Sequence, residues 1–265
     1  MLKESVYCIS MIRYDSCKTI QTLTTEVTRV MYPPIPHEPR SDSALLPPLR
    51  ECGEPLVPLS TLSPRISVYP AYYHQGYQGA LPEAYLREGA ALRLAQAAGR
   101  LPDGYRLVVL DGWRSHRVQA SLYERFKQSL IDQGWQEGEA LARELDKYVA
   151  SPTVDVHKPA PHLSGGAVDL TIAGPDGWLD MGTAFDDFSE RAATRYYECM
   201  AAPDETEQRI RDNRRLLYHL MTEAGFVNYP QEWWHYEYGT LNWARQTNGQ
   251  AIYGGLVDLF QREVQ

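Results

Sequence analysis

The chain has 265 residues, 43% of them hydrophobic and 23% charged, which is ordinary globular usage and enough to bury the core of one substantial domain, so wholesale disorder is excluded. A formal net charge of -8, without a Lys/Arg stripe to override it, argues against a phosphate-backbone partner, and no nucleic acid is expected. Cys8, Cys17, Cys52 and Cys199 form no C-x-x-C pair and read as reduced thiols, while neither a secretory apolar core nor an 18-residue apolar run is present, so the expected address is the cytoplasm with no membrane partner.

Residues 1–60 are rich in Pro, Ser and Thr, and Pro33-Pro34-Ile35-Pro36 and Pro47-Pro48 exclude regular helix, so this stretch reads as an N-terminal extension, partly irregular, ahead of a folded domain over 61–265. Helical spacing of Leu86, Ala90, Leu92, Leu94 and Ala97, with Pro82 in a first turn, predicts a helix from Leu81 to Ala98. Tyr105 to Leu110 is an apolar run of strand length ending at Asp111-Gly112, and helices are predicted over Ser115 to Gln133 and Glu137 to Tyr148. Ala167 to Ile172 alternates as a strand, with Gly174-Pro175-Asp176-Gly177 as a hairpin turn into Trp178-Leu179-Asp180. A helix from Asp204 to Ala224 stops at Gly225, and Trp233 to Tyr238 reads as a short strand. Helices before and after a small, mainly antiparallel sheet make the fold class α+β.

Two segments carry chemistry. His162 and Asp169 flank Gly165-Gly166, and a loop bent by those glycines brings the histidine back beside the strand that holds the aspartate. Glu232-Trp233-Trp234-His235 supplies a second imidazole with a carboxylate three residues away. Two histidines, one carboxylate ligand and one spare carboxylate match an open catalytic zinc site, in which three protein ligands leave a position for water and a free carboxylate moves its proton. Taken singly, the first segment also reads as a loop histidine with a capping aspartate, and the second as an aromatic core segment with one hydrogen-bonded histidine. Arg114, after the strand that ends at Asp111, reads either as a guanidinium in a cleft or as an exposed charge at a helix start. His116 and His219 suit solvated or core roles, and His157 is the one rival ligand.

With Asp111-Gly112-Trp113-Arg114, the His162 to Asp169 segment, Asp180 to Asp186 and Glu232 to Tyr236 in this order, the chain resembles the D-alanyl-D-alanine dipeptidases, zinc peptidases that share a fold with DD-carboxypeptidases and the hedgehog signalling domain. The resemblance covers roughly residues 50–240. It implies one zinc per chain on His162, Asp169 and His235, with Glu232 as general base, Arg114 at the tetrahedral intermediate and Asp186 on the ammonium of a small dipeptide substrate. It also implies a link to peptidoglycan turnover. The family's hydroxyl residue two before the first histidine is Ala160 here, and its proline after the arginine is Ser115. A peptidoglycan DD-carboxypeptidase or endopeptidase, or a non-catalytic zinc-binding module, are the alternatives carried forward.

Overall fold

Two features of the chain dominate its architecture, the apolar strand ending at Asp111 and the alternating strand that begins at Ala167. In the computed structural model, which describes residues 3–9, 24–30, 32–37, 47–146, 149–187 and 189–257, they lie side by side in the central sheet. The elements in chain order are β1 (Lys3–Ile9), β2 (Thr24–Val30), β3 (Leu56–Pro58), β4 (Ile66–Val68), α1 (Ala71–His74), β5 (Tyr85–Arg87), α2 (Glu88–Gly99), β6 (Arg106–Asp111), α3 (His116–Asp132), α4 (Glu139–Leu145), β7 (Ala167–Gly174), β8 (Gly177–Trp178), α5 (Glu205–Glu223), β9 (Val227–Asn228), β10 (His235–Glu237) and α6 (Leu241–Thr247). The central sheet runs β4-β6-β7-β10-β9, with β8 paired to β7. Only β4 and β6 are parallel in it, so the fold is α+β and mainly antiparallel, as the sequence predicts.

Strand β7 is buried along almost its whole length, which explains its composition: Val168, Leu170 and Ile172 enter the main core, while Asp169 and Thr171 point to the opposite face. That core is completed by Ala90, Leu94 and Ala97 of α2 and by Leu217, Leu220 and Met221 of α5. Each fully buried aliphatic side chain there contributes about 1.5–3 kcal/mol over an exposed one. One face of the sheet is therefore sealed by helices, and the other is free to carry polar groups.

Several boundaries differ from the sequence expectation. The helix expected from Leu81 begins at Glu88, because Tyr85–Arg87 pairs instead with Leu56–Pro58. Arg87 is drawn out of the helical pattern by burial. Its guanidinium donates to the carbonyls of Ser164 (2.9 Å), Glu54 (2.6 Å) and Gly254 (3.1 Å) and to the Glu51 carboxylate (3.1 Å). Helix α4 is shorter than expected, and Tyr148 lies outside the described residues. After the hairpin turn only Gly177–Trp178 pairs as strand. Helices α3 and α5 fall within a residue or so of expectation because their caps are encoded locally: Ser115 caps Val118 N–H, and Asp204 with Glu207 forms a capping box. Within the stretch read as an N-terminal extension, β1 and β2 pair with each other. Leu49 bridges Ala251 there as well, and Cys52 N–H donates to Ile252 O at 3.0 Å.

Gly112 follows β6 at a point of close approach, where Trp113 N–H donates to Tyr85 O at 2.7 Å. A Cβ at Gly112 would stand 2.5 Å from that same carbonyl oxygen, so the backbone must move to accept one. Gly112→Ala is expected to destabilise the protein by about 1–3 kcal/mol, the usual cost of overpacking. That corresponds to a Tm loss of roughly 2–12 °C by calorimetry.

A second expectation concerns pH. Glu198 accepts from Arg215 Nε (2.7 Å) and Nη2 (2.6 Å) and from Ile35 N–H (3.1 Å). Burial alone would raise its pKa, but these hydrogen bonds and the Arg215 charge outweigh burial and hold it below the ordinary value. A carboxyl group depressed in the folded state stabilises fully above its unfolded pKa, about 4.3, and loses that contribution as pH falls through the folded pKa. Glu198→Gln should therefore cost about 1–3 kcal/mol at pH 7 in urea melts, with the gap to wild type narrowing at pH 3.

Candidate metal centre

Asp169 and His235 are direct cross-strand partners of β7 and β10, so sheet register alone brings a carboxylate against an imidazole, with Oδ1 and Nδ1 3.0 Å apart. His162 arrives from a 3-10 turn, His162–Ser164, which Gly165 ends in the left-handed conformation at φ 73°. A side chain at Gly165 would also press on the Leu56 side chain, which would have to shift. The next residues enter β7, and the loop thereby folds His162 back beside Asp169, as the two glycines predict.

Hydrogen bonds fix which nitrogen of each ring is available. His162 Nδ1–H donates to Gly112 O at 2.8 Å, leaving the Nε2 lone pair facing His235 Nδ1 (3.2 Å) and Asp169 Oδ2 (3.3 Å). His235 Nε2–H donates to Glu237 Oε1 at 3.1 Å, which leaves Nδ1 to face Asp169 and His162. The ligand atoms of His162, Asp169 and His235 all lie within 4.8 Å of one another, and all three residues are buried. Two ring nitrogens and a carboxylate oxygen thus converge on one point. That donor set fits a divalent metal.

The charge around the cluster fits as well. Asp111, Asp169, Asp186, Glu232 and Glu237 surround it, and Arg114 is the guanidinium that faces them. Arg114 is anchored by Asp111 (Nε–Oδ2 2.9 Å), Gln119 (Nη1–Oε1 2.9 Å) and the Tyr72 hydroxyl (Nη2–O 3.2 Å), and lies 3.5 Å from Asp169. Burial works against its charge, yet Tyr72 and the surrounding carboxylates keep it protonated. Burial also opposes ionisation of Asp169, but His162 and His235 hold its pKa well below the ordinary value.

Glu232 stands just off the cluster, its Oε2 3.9 Å from His235 Nδ1. Burial, reinforced by Asp169 and Asp186 and opposed by His235 and Arg114, pushes its pKa up to about 7. Asp186 is raised to about 7 as well, mainly by burial, and accepts from the Tyr72 hydroxyl at 3.2 Å. Its backbone is left-handed at φ 59°. All six sequence-predicted residues, His162, Asp169, His235, Glu232, Arg114 and Asp186, line one cavity of about 250 Å³. Two carboxyl groups that exchange protons near neutrality, beside a buried guanidinium and a metal-binding cluster, form a site equipped for acid–base hydrolysis.

The other histidines lie elsewhere. His157 is exposed and outside the cluster, and His116 opens α3. His219 stacks on Tyr32 and its Nε2–H donates to Pro33 O at 2.9 Å, tying the 32–37 segment to α5. Of the two departures noted in the sequence, Ala160 forms part of the cavity wall and Ser115 caps α3. Sequence reasoning missed Tyr72, which bridges Arg114 and Asp186, and the roles of Asp111 and Gln119 as anchors of Arg114. It also missed Glu237. A signal for Glu237 was present, since residues two apart on a strand share a face and place it beside His235.

A family model described as D-ala-D-ala dipeptidase, Peptidase_M15, matches residues 75–250. The chain is 32% identical over 221 residues to a D-alanyl-D-alanine dipeptidase of Synechocystis sp., covering 76% of this chain and 88% of the relative. It is 36% identical over 136 residues to the D-alanyl-D-alanine dipeptidase of Escherichia coli, covering 51% of this chain and 56% of that one. A solved structure of the zinc-bound vancomycin-resistance D,D-pentapeptidase VanY is similar at 18% identity over 65% of this chain and 85% of that one, with a TM-score of 0.38, too low to bear on function. The match to the family model over most of the chain, and that to the cyanobacterial relative over nearly its whole length, place the chain in the Peptidase_M15 family of D-alanyl-D-alanine dipeptidases, and it is a metallopeptidase.

Proposed function

We propose that the protein hydrolyses D-alanyl-D-alanine to two molecules of D-alanine, with one zinc ion held by His162, Asp169 and His235. The observation that carries this reading is the convergence of His162 Nε2, His235 Nδ1 and an Asp169 oxygen beside the spare carboxylate of Glu232. Zinc bound there supplies Lewis acidity for the attacking water and the scissile carbonyl. Glu232, buried and raised to about 7, accepts the proton of the attacking water and delivers it to the leaving amine. Arg114, already oriented by Asp111 and Gln119, stabilises the oxyanion that develops on the carbonyl. Asp186, with the Tyr72 hydroxyl, receives the substrate ammonium. The bond broken is the single peptide bond, and the water is divided between the new carboxylate and the new amine.

The size of the site supports a dipeptide. A cavity of about 250 Å³ lies below the roughly 300–1,000 Å³ of pockets that accept drug-sized ligands, and a cell-wall peptide needs a longer groove. Relatives named D-alanyl-D-alanine dipeptidases support the same substrate. Among the described residues no helix is long and apolar enough to cross a membrane. Incubation of zinc-loaded protein with D-Ala-D-Ala, L-Ala-L-Ala and a muramyl pentapeptide, followed by measurement of free alanine, separates the readings. Release from D-Ala-D-Ala alone is expected. Faster release from the pentapeptide would make the protein a DD-carboxypeptidase, and no release from any of them would leave a non-catalytic zinc module.

Glu232→Ala is expected to lower kcat by about 10²–10⁴-fold while bound zinc, measured by elemental analysis, stays near one per chain. Full activity in that variant would remove Glu232 from the proton path. Asp186→Asn should raise KM for D-Ala-D-Ala more than it lowers kcat, since its partner is the substrate's charged end; an unchanged KM would remove the ammonium contact.

A further inference from the structure

Glu237 is a fully buried carboxylate that the proposed chemistry does not use, yet three side chains hold it. His235 Nε2 donates to its Oε1 at 3.1 Å, Asn242 Nδ2 donates to the same oxygen at 3.0 Å, and the Thr240 hydroxyl donates to Oε2. Thr240 is itself tied to α6, whose N-terminus its hydroxyl oxygen caps by accepting from Trp243 N–H at 3.1 Å. A rigid line therefore runs from the start of α6 through Thr240 and Glu237 to the His235 ring. Tyr236, between His235 and Glu237, points to the opposite face and fills the core, which locks the strand's rotation.

The neutral imidazole at the end of this line has two choices. With its proton on Nε2 it donates to Glu237 and presents a lone pair on Nδ1 toward Asp169 and His162. With its proton on Nδ1 it closes the short gaps to Asp169 and His162 as ordinary hydrogen bonds and has no lone pair for a cation. Without a proton on Nε2 its lone pair would face the buried Glu237 oxygen at 3.1 Å, so Glu237 favours the first choice. His162 Nδ1 faces the Gly112 carbonyl at 2.8 Å and the Asp111 carboxylate at 3.3 Å, so each ligand ring has an acceptor behind it.

We infer that Glu237 is the positioning residue of the metal site: it fixes the tautomer and the orientation of His235 and raises its strength as a ligand, while touching neither metal nor substrate. This rests on the reading of His162, Asp169 and His235 as metal ligands. Histidines that bind metal are commonly oriented by such an acceptor, and its loss costs about 10–100-fold in metal affinity.

The test is zinc competition against a chromogenic chelator for wild type, Glu237→Gln and Glu237→Ala, with the absorption spectrum of the cobalt-loaded proteins and thermal melts of the metal-free proteins as companion readouts. Glu237→Gln keeps an acceptor for Nε2–H but loses the charge and the oxygen that accepts from Thr240. Glu237→Ala loses the acceptor as well. Expected is a rise in the zinc Kd of about 10–100-fold for Glu237→Ala, a smaller rise for Glu237→Gln, and a cobalt spectrum altered in Glu237→Ala but near wild type in Glu237→Gln. A Glu237→Ala protein that binds zinc as tightly as wild type, with an unchanged cobalt spectrum, overturns the inference even if its metal-free form melts earlier. Wild type that takes up no zinc overturns the metal reading and the inference with it.

Discussion

The pairing of His235 with Asp169 across β7 and β10 is the constraint on which the site depends. Register in an antiparallel sheet is all or nothing, since a slip of one residue turns every side chain to the other face. Here such a slip would send Asp169 and His235 into the aliphatic core and bring Val168 and Tyr236 out to the cavity. The hydrophobic alternation that stabilises the fold and the placement of the ligands are consequently one property. Selection for a well-packed core thereby also preserves the Asp169 and His235 half of the candidate metal cluster.

Around that pair the loops contribute by reversal rather than by reach. Gly165 turns the His162 loop back onto β7, and Gly112 lets the segment carrying Arg114 pass against Tyr85. Arg114 is then fastened by Asp111, Gln119 and Tyr72, from three different elements, before any ligand arrives. A guanidinium held in this way loses little freedom when charge develops beside it, which is the condition for effective electrostatic stabilisation. Buried carboxylates in excess of cations make the cavity costly in isolation and favourable once a divalent ion neutralises it.

The sequence displayed the site more fully than the fold. His162, Asp169, Glu232 and His235 stand in short segments whose residue types have few other uses in combination, and Gly165-Gly166 announces the turn that joins the first two. Helices α3 and α5 were legible because Ser115, Asp204 and Glu207 cap them locally. What escaped was set by distant partners. The start of α2 was displaced because Arg87 satisfies carbonyls at Glu54, Ser164 and Gly254, none of them near it in the chain except through the fold. Strands of two or three residues, such as β4 and β9, are too short to show a period. Tyr72 sits on a four-residue helix and joins the site only because α1 lies over the end of β6.

Asp186 holds a left-handed backbone conformation that few residues other than glycine, asparagine and aspartate adopt without strain. The cavity wall at this point is therefore narrow in its evolutionary options. Bulky or β-branched replacements would meet a conformational cost before their side chains ever met a substrate, leaving asparagine and glycine as the accessible neighbours. Both remove the negative charge. On the proposed contact of Asp186 with the substrate ammonium, a lineage keeping substrates with an unmodified amino end is held at aspartate, and one drifting toward blocked or neutral ends has a single-step route through asparagine.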